Sequence, residues 1–259
     1  MKALILTYDR QIGLADLVIR SYAKLWPDNP FEYLVPLNDP AAGGVLVQGA
    51  PVRFVASPSP VRETMAALLG EVRDDEWVFW AIDDRYPVWL DAGRLSRLAD
   101  DITRGAFDAF NGVRLLHWRE ELEGELVDTP HGPFRRLRPD GTYGFWHHHF
   151  VRAGLLRRSF LADELRGVTD IRAINQGLQA MAPLSFMHDV LVPAAGNLVH
   201  LDEPLVAGQL TRNGLQALQA FGCRVPDYGV LDKECGFFDQ VSQTRANPQA
   251  PRVIQGARR

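Results

Sequence analysis

Six successive apolar residues, Trp77-Val78-Phe79-Trp80-Ala81-Ile82, run directly into two carboxylates, Asp83 and Asp84. A strand that is apolar at every position has to be covered on both faces, which points to a sheet with helices on either side. In open α/β sheets ligands bind beyond the carboxyl ends of the strands, and Asp83 and Asp84 emerge at such an end. Adjacent carboxylates repel each other, and a divalent cation holding a phosphorylated ligand is one good reason to keep them together. A strand ending in a polar turn competes with this, since Asp favours turns and Pro87 follows closely.

The surrounding pattern agrees with such a sheet. Leu4-Ile5-Leu6 predicts a first buried strand, and Ile12 to Trp26 carries Leu14, Leu17, Val18, Tyr22 and Leu25 at helical spacing before Pro27 ends it. Phe31 to Pro36 and Val52 to Val55 predict two further strands, and a helix is expected from Val61 to Glu71. Asp91 is placed to cap a helix through Leu95, Leu98 and Ile102, after which Ala106 to Leu116 predicts a return to strand. This alternation predicts an α/β fold with a mainly parallel central sheet flanked by helices.

Beyond Trp118 the character changes. Gly124 to Val127 and Pro133 to Leu137 predict a small antiparallel ribbon around the turn Asp128 to Gly132. A strand over Phe145 to Val151 and helices over Leu155 to Leu165 and Ile171 to Met181 follow. The chain is expected to form one domain with residues 1–118 holding a cofactor-like ligand and 119–241 shaping a second site. Residues 242–259, rich in Gln, Asn, Pro, Arg and Gly without apolar period, read as a loosely held tail.

Composition removes several classes. Of 259 residues 46% are hydrophobic, ample for a conventional core. A net charge of −4, from 28 basic and 32 acidic side chains, argues against nucleic-acid binding by phosphate neutralisation. Cys223 and Cys235 are too few for a disulfide framework and lack metal-site spacing, so a reduced cytoplasmic setting is expected. The apolar run at the start is too short for a signal sequence, and no segment nears the ~20 apolar residues of a transmembrane helix, leaving only peripheral membrane contact.

The order of these features resembles the bacterial nucleotide-sugar glycosyltransferases with the single-domain GT-A (Rossmann-like) fold. The resemblance rests on Ser59-Pro60-Val61-Arg62 through Leu68-Leu69 and on Asp75 through Pro87, where a helix leads into an apolar strand ending in an acidic DxD-type motif. A weaker match is Gly196-Asn197-Leu198-Val199 with Glu203-Pro204 and Gly208-Gln209, so that roughly residues 1 to 210 are covered. It implies transfer of a sugar from a nucleotide-diphosphate donor to a glycan, lipid-linked or small-molecule acceptor. It further implies that 1–118 is the nucleotide-sugar-binding half and 119–241 the acceptor half. Asp84 would ligate Mn²⁺ or Mg²⁺, Asp83 would meet the sugar or ribose, and Thr7 would contact the nucleotide. By position alone, Thr7, Tyr8, Asp9 and Arg10 follow the first strand at the same edge of the sheet and are placed to receive the nucleoside, with a strand-to-helix turn capped by Asp9 as the alternative. Arg62 corresponds to a diphosphate contact, with a solvent-facing helix arginine as the alternative, and His200 to a residue completing the metal shell, with His188-Asp189 competing for that role and a plain surface position the alternative for either. The chain departs from the pattern: its acids are adjacent in Ile82-Asp83-Asp84-Arg85, and Arg85 brings a cation to the place of the ion, leaving metal independence open.

Glycosyl transfer needs charge neutralised on the leaving diphosphate, by a metal ion or by basic side chains. An inverting transfer also needs a carboxylate base for the acceptor hydroxyl. Asp170 is the first candidate, with Glu164 and Asp163 behind it, and helix capping is the alternative for Asp170. Trp146-His147-His148-His149 invites a metal, but successive strand residues face opposite ways, which favours structural use or acceptor contact over zinc. Two other functions compete. A sugar nucleotidyltransferase would want a Gly-rich phosphate loop after the first strand, where only Gly13 occurs. A non-catalytic carbohydrate- or nucleotide-binding protein would use some of the six Trp and six Tyr for stacking. Neither a Gly-x-Ser-x-Gly elbow nor a dinucleotide fingerprint is present.

Overall fold

The computed structural model describes residues 1–39, 50–116, 124–137, 145, 147–169, 171–181 and 189–231. The first half alternates strand and helix: β1 (Lys2–Leu6), α1 (Ile12–Leu25), β2 (Glu32–Leu37), β3 (Val52–Ala56), α2 (Val61–Gly70) and β4 (Trp77–Ile82). All four strands are parallel, with β1 between β2 and β4 and with β3 outside β2. The chain therefore winds outward from β1 to β3, then returns past β1 to lay down β4. That reversal puts α1 and α2 on opposite faces of the sheet, as their separate cores show.

The second half supplies β5 (Tyr86–Leu90), α3 (Ala92–Thr103), β6 (Gly112–Arg114), β7 (Leu126–Thr129), β8 (Gly132–Arg136) and β9 (His149–Arg152). These are followed by α4 (Ala153–Phe160), α5 (Ile171–Met181), β10 (Val190–Pro193), β11 (Val199–Asp202), β12 (Leu205–Val206), β13 (Gln209–Leu210) and α6 (Arg212–Ala220). Among the described residues, nine strands form one sheet in the order β3-β2-β1-β4-β9-β6-β10-β8-β7. Only β8 and β9 run against the rest, so the sheet is mainly parallel and helices cover it, as the alternation predicts. Two small antiparallel sheets, β5 with β11 and β12 with β13, stand apart from it.

Strand β4 shows why the sheet must be covered twice. Phe79 and Ala81 pack with Leu14, Leu17 and Val18 of α1, while Val78, Trp80 and Ile82 pack with Met65, Leu68 and Leu69 of α2. All but Ile82, at 3%, are fully buried. Each of the larger side chains contributes about 1.5–3 kcal/mol of transfer free energy, so this strand anchors both layers.

Several elements differ from the sequence expectation for identifiable reasons. Pro87 does not stop a strand: it lies inside β5, opposite Leu201, beside a register shift between His200 and Leu201. A two-stranded ribbon has open edges, where a missing N–H costs no ladder bond. The strand expected over 106–116 is confined to Gly112–Arg114, because turns centred on Gly105, with φ +85°, use the preceding backbone. The strand expected from Phe145 begins at His149, and the helix expected to reach Leu165 ends at Phe160 before a 3₁₀ turn, Asp163–Leu165. The ribbon around residues 128–132 is present as β7 and β8 and joins the main sheet through β10. Trp146, Asp170, His188, Cys235 and the tail 242–259 lie outside the described residues.

Candidate functional site

The point where the winding reverses lies between β1 and β4, and in open α/β sheets the crevice outside the carboxyl ends of the strands at such a point is where ligands bind. Thr7 and Asp83 face each other there. The Thr7 hydroxyl donates to Asp83 Oδ2 at 2.6 Å, and the Asp83 N–H donates to the Leu6 carbonyl at 3.2 Å, carrying the ladder one step past β1. Both side chains are buried. Burial raises the Asp83 carboxyl well above its ordinary range; the Thr7 bond opposes this and the charge of Asp84 adds to it.

Asp84 is half-buried and its Oδ1 has no hydrogen-bond partner. Burial pushes its carboxyl up to about 6, with Arg85 opposing and Glu203 adding. Arg85 turns toward the segment after β11: Nη2 donates to Glu203 Oε1 at 2.8 Å, and Nη1 lies 3.3 Å from His147 Nδ1. Beside Glu203, Asp202 accepts from the Glu203 N–H at 2.9 Å and from the Tyr86 hydroxyl at 3.3 Å. Burial pushes Asp202 up to about 6 as well. Four acidic side chains and one arginine thus gather beyond β1, β4 and β11.

The three histidines support this edge from below. His148 is fully buried; its Nε2–H donates to the Ile82 carbonyl at 3.2 Å, so Nδ1 accepts from the Tyr22 hydroxyl at 2.8 Å. The carbonyl just ahead of the acid pair is therefore held by a side chain one residue before β9 begins. His149 donates Nδ1–H to the His147 carbonyl at 2.7 Å. Burial keeps all three neutral, pushing His148 and His149 down to about 3 and His147 well below its ordinary value. Structural use, the role favoured from strand alternation, describes His148 and His149.

Other candidate residues have mixed fates. Tyr8 is exposed, and its hydroxyl lies 2.9 Å from that of Tyr228. Asp9 does not cap α1; its carboxylate accepts from the N–H groups of Asn38 at 2.8 Å and Asp39 at 3.3 Å, stitching the loops after β1 and β2 together. Arg62 donates to the carbonyls of Phe160, Leu161 and Ala162, so its guanidinium caps the end of α4 and is not directed at the acid pair. His200 is also separated from Asp84. It pairs with Trp89, against whose ring it packs at 4.8 Å, and the three strand steps from Tyr86 to Trp89 span about 10 Å. The position beside the site on that ribbon belongs to Asp202, with Glu203 next to it. Asp163 is exposed and paired with Arg166 at 2.6 Å, while Glu164 is exposed on the turn after α4.

Gly13 has a packing role and is no part of a phosphate loop. A Cβ there would sit 1.8 Å from the Arg224 carbonyl oxygen, so only glycine lets the segment after α6 rest on α1. Residues that local pattern did not identify are Tyr22, Tyr228 and the Arg85–Glu203 pair. The only sequence signal for the last was that Glu203-Pro204 falls in the weaker family match.

Among the described residues no group of three His, Cys, Asp or Glu side chains is arranged to hold a metal ion. The unpartnered Asp84 oxygen suits instead a hard cation that takes its remaining ligands from substrate phosphates and water, the usual habit of Mg²⁺. No helix among the described residues is long and apolar enough to cross a membrane.

No protein-family model matches the sequence, and no curated protein matches it significantly. Among solved structures the chain is similar to the galactosyltransferase LgtC in complex with donor and acceptor sugar analogs, at 13% identity over 76% of this chain and 73% of that one, with a TM-score of 0.44. It is similar to residues 1–349 of TarS from S. aureus, at 13% identity over 76% of this chain and 59% of that one, TM-score 0.46. It is also similar to 2-C-methyl-D-erythritol 4-phosphate cytidylyltransferase of Francisella tularensis, at 14% identity over 74% and 89%, TM-score 0.41. All three lie below a TM-score of 0.5, so none transfers a substrate or a reaction to this chain.

Proposed function

We propose that this protein is a glycosyltransferase that takes a sugar from a nucleotide-diphosphate donor bound at the β1–β4 crevice and passes it to a glycan, lipid-linked or small-molecule acceptor. The observation that carries the proposal is the pairing of Thr7 with Asp83 at the switch point, beside an Asp84 whose Oδ1 has no hydrogen-bond partner. In this reading Asp83, fixed by Thr7, accepts from a ribose or sugar hydroxyl, and Tyr8 and Asp9 border the nucleoside. Asp84 holds Mn²⁺ or Mg²⁺ shared with the diphosphate, and that ion would neutralise the leaving group. Arg85, tied to Glu203, offsets the charge of Asp84 and keeps the crevice from filling with uncompensated carboxylate.

The transferred sugar then lies on the side of the acceptor half. Glu164 and Asp170 are the candidate bases for an inverting transfer. Glu164 is free in solvent just past the α4 end that Arg62 joins to the start of α2, at the same carboxyl edge of the sheet. The packing role of Gly13 adds weight against the nucleotidyltransferase alternative, since it leaves no glycine loop after β1 to cradle a triphosphate.

Thermal unfolding with UDP, GDP, dTDP and CMP, each with and without Mn²⁺, tests the proposal. A metal-dependent rise for one nucleotide, lost in Asp84→Ala, is the expected result. No rise with any nucleotide well above micromolar concentration would transfer the weight to a non-nucleotide-binding protein.

A further inference from the structure

The site has a neighbour that the acid pair does not account for. Tyr8 stands one residue beyond Thr7 and is 41% exposed, in contrast to the buried Tyr22, Tyr33 and Tyr86. Its hydroxyl meets that of Tyr228, which lies on the segment leaving α6. That segment returns to this edge and is fastened there. The Leu210 N–H donates to the Gly229 carbonyl, and the Leu231 N–H to the Leu210 carbonyl, each at 2.8 Å, making an isolated parallel bridge between Leu210 and Val230.

Arg10 completes the group. Its guanidinium lies 4.8 Å from the centre of the Tyr228 ring, and Nη2 donates to the Asp227 carbonyl at 3.3 Å. One face of Tyr228 is thus covered by a cation and its hydroxyl is engaged, which fixes the ring without burying it. Exposed large apolar side chains among the described residues are Tyr8, Leu126, Val225 and Val230, and all but Leu126 belong to this group or flank Tyr228 in the same segment.

We propose that Tyr8, Tyr228 and Arg10 form the receptacle for the nucleobase of a nucleoside diphosphate, so that the segment after α6 is part of the donor site. The proposal rests on the glycosyltransferase reading above, which already sets Tyr8 beside the nucleoside, and adds to it Tyr228 and with it the segment after α6. Aromatic rings stack every base through its π-face, and a tyrosine orders few torsions in doing so. Thr7 links the two ends of one ligand: it precedes Tyr8 in the chain and holds Asp83 by its hydroxyl. Partial burial and then the Tyr228 hydroxyl hold the Tyr8 proton more tightly than usual.

The test is calorimetric titration of the full chain, at constant Mn²⁺, with UDP, GDP and inorganic pyrophosphate. Wild type is expected to bind one nucleotide about tenfold or more tightly than pyrophosphate, the margin expected of one stacked base. Tyr228→Ala is expected to lose that margin while binding pyrophosphate as before, and Tyr228→Phe to keep most of it. If Tyr228→Ala binds the nucleotide as wild type does, the base contact is wrong and the donor reading stands. If both Tyr228 variants lose nucleotide and pyrophosphate alike, Tyr228 is a structural strut and the proposal is overturned. If wild type binds pyrophosphate but gains nothing from a base, the proposal also fails; if it binds neither, the donor reading fails with it.

Discussion

Arg85 and Glu203 form an ion pair at 2.8 Å across 118 residues of sequence, with Arg85 only 13% and Glu203 39% exposed. The pair joins the loop after β4 to the end of β11 and sets the charge around Asp84. Burial has the largest effect and raises the Asp84 carboxyl; Arg85 lowers it and Glu203 adds to the rise. Glu203→Gln is therefore expected to move the Asp84 carboxyl below about 6, read by carboxyl resonances in a pH titration. An unmoved Asp84 would show that Glu203 does not act on it. The stability cost of losing this partly exposed pair should be about 1 kcal/mol or less.

Asp84 itself gives a prediction of opposite sign for stability and function. Its folded carboxyl titrates at about 6 against the ordinary 3.8, so the folded state holds the proton more tightly. Stability from this group is full below pH 3.8 and is lost as pH rises through about 6. Asp84→Asn removes the loss and should stabilise the ligand-free protein by about 1–3 kcal/mol at pH 7.5, with little effect at pH 4. The same variant is expected to abolish metal-dependent nucleotide binding, a stability gain at the expense of function. Urea unfolding at the two pH values checks the first expectation; destabilisation at pH 7.5 would contradict it.

His148 contributes in the other direction. Its folded pKa of about 3 lies below the ordinary 6.5, so the unfolded chain binds the proton first. Stability from His148 is present above pH 6.5 and is lost as pH falls from there toward 3. His148→Phe should flatten this part of the pH–stability profile. At pH 7.5 it should also cost about 2–4 kcal/mol, because the Tyr22 hydroxyl and Ile82 carbonyl lose their partner in the core. A profile as steep as that of wild type would place the acid sensitivity elsewhere.

Gly13 offers a test of packing against propensity. Alanine would favour an exposed helix by about 1 kcal/mol, yet here its Cβ would meet the Arg224 carbonyl oxygen at 1.8 Å. Gly13→Ala is expected to destabilise by about 1–3 kcal/mol, through displacement of the segment after α6. A gain in thermal stability would mean that this segment moves away from α1 at little cost.

Much of the architecture was legible locally. The apolar run Trp77–Ile82 announced a strand covered on both faces, and its alternation between the α1 and α2 cores fulfils that. The helical spacing of Leu14, Leu17 and Val18 and the turn between β7 and β8 were equally readable, because periodicity and turn chemistry act over a few residues. Strand β5 was hidden by Pro87, whose acceptability depends on the strand being in a two-stranded ribbon.

For the site, the sequence by itself determined that Asp83 and Asp84 would stand at the carboxyl end of a buried strand, since that follows from where the apolar run stops. Tertiary structure alone decided what surrounds them. It turned Arg62 to the end of α4, set His200 beside Trp89, brought Glu203 to Arg85, and laid Tyr228 against Tyr8. Each of these depends on a contact between residues far apart in the chain, whose geometry is set by how the sheet and its helices pack and not by any local preference of the residues themselves.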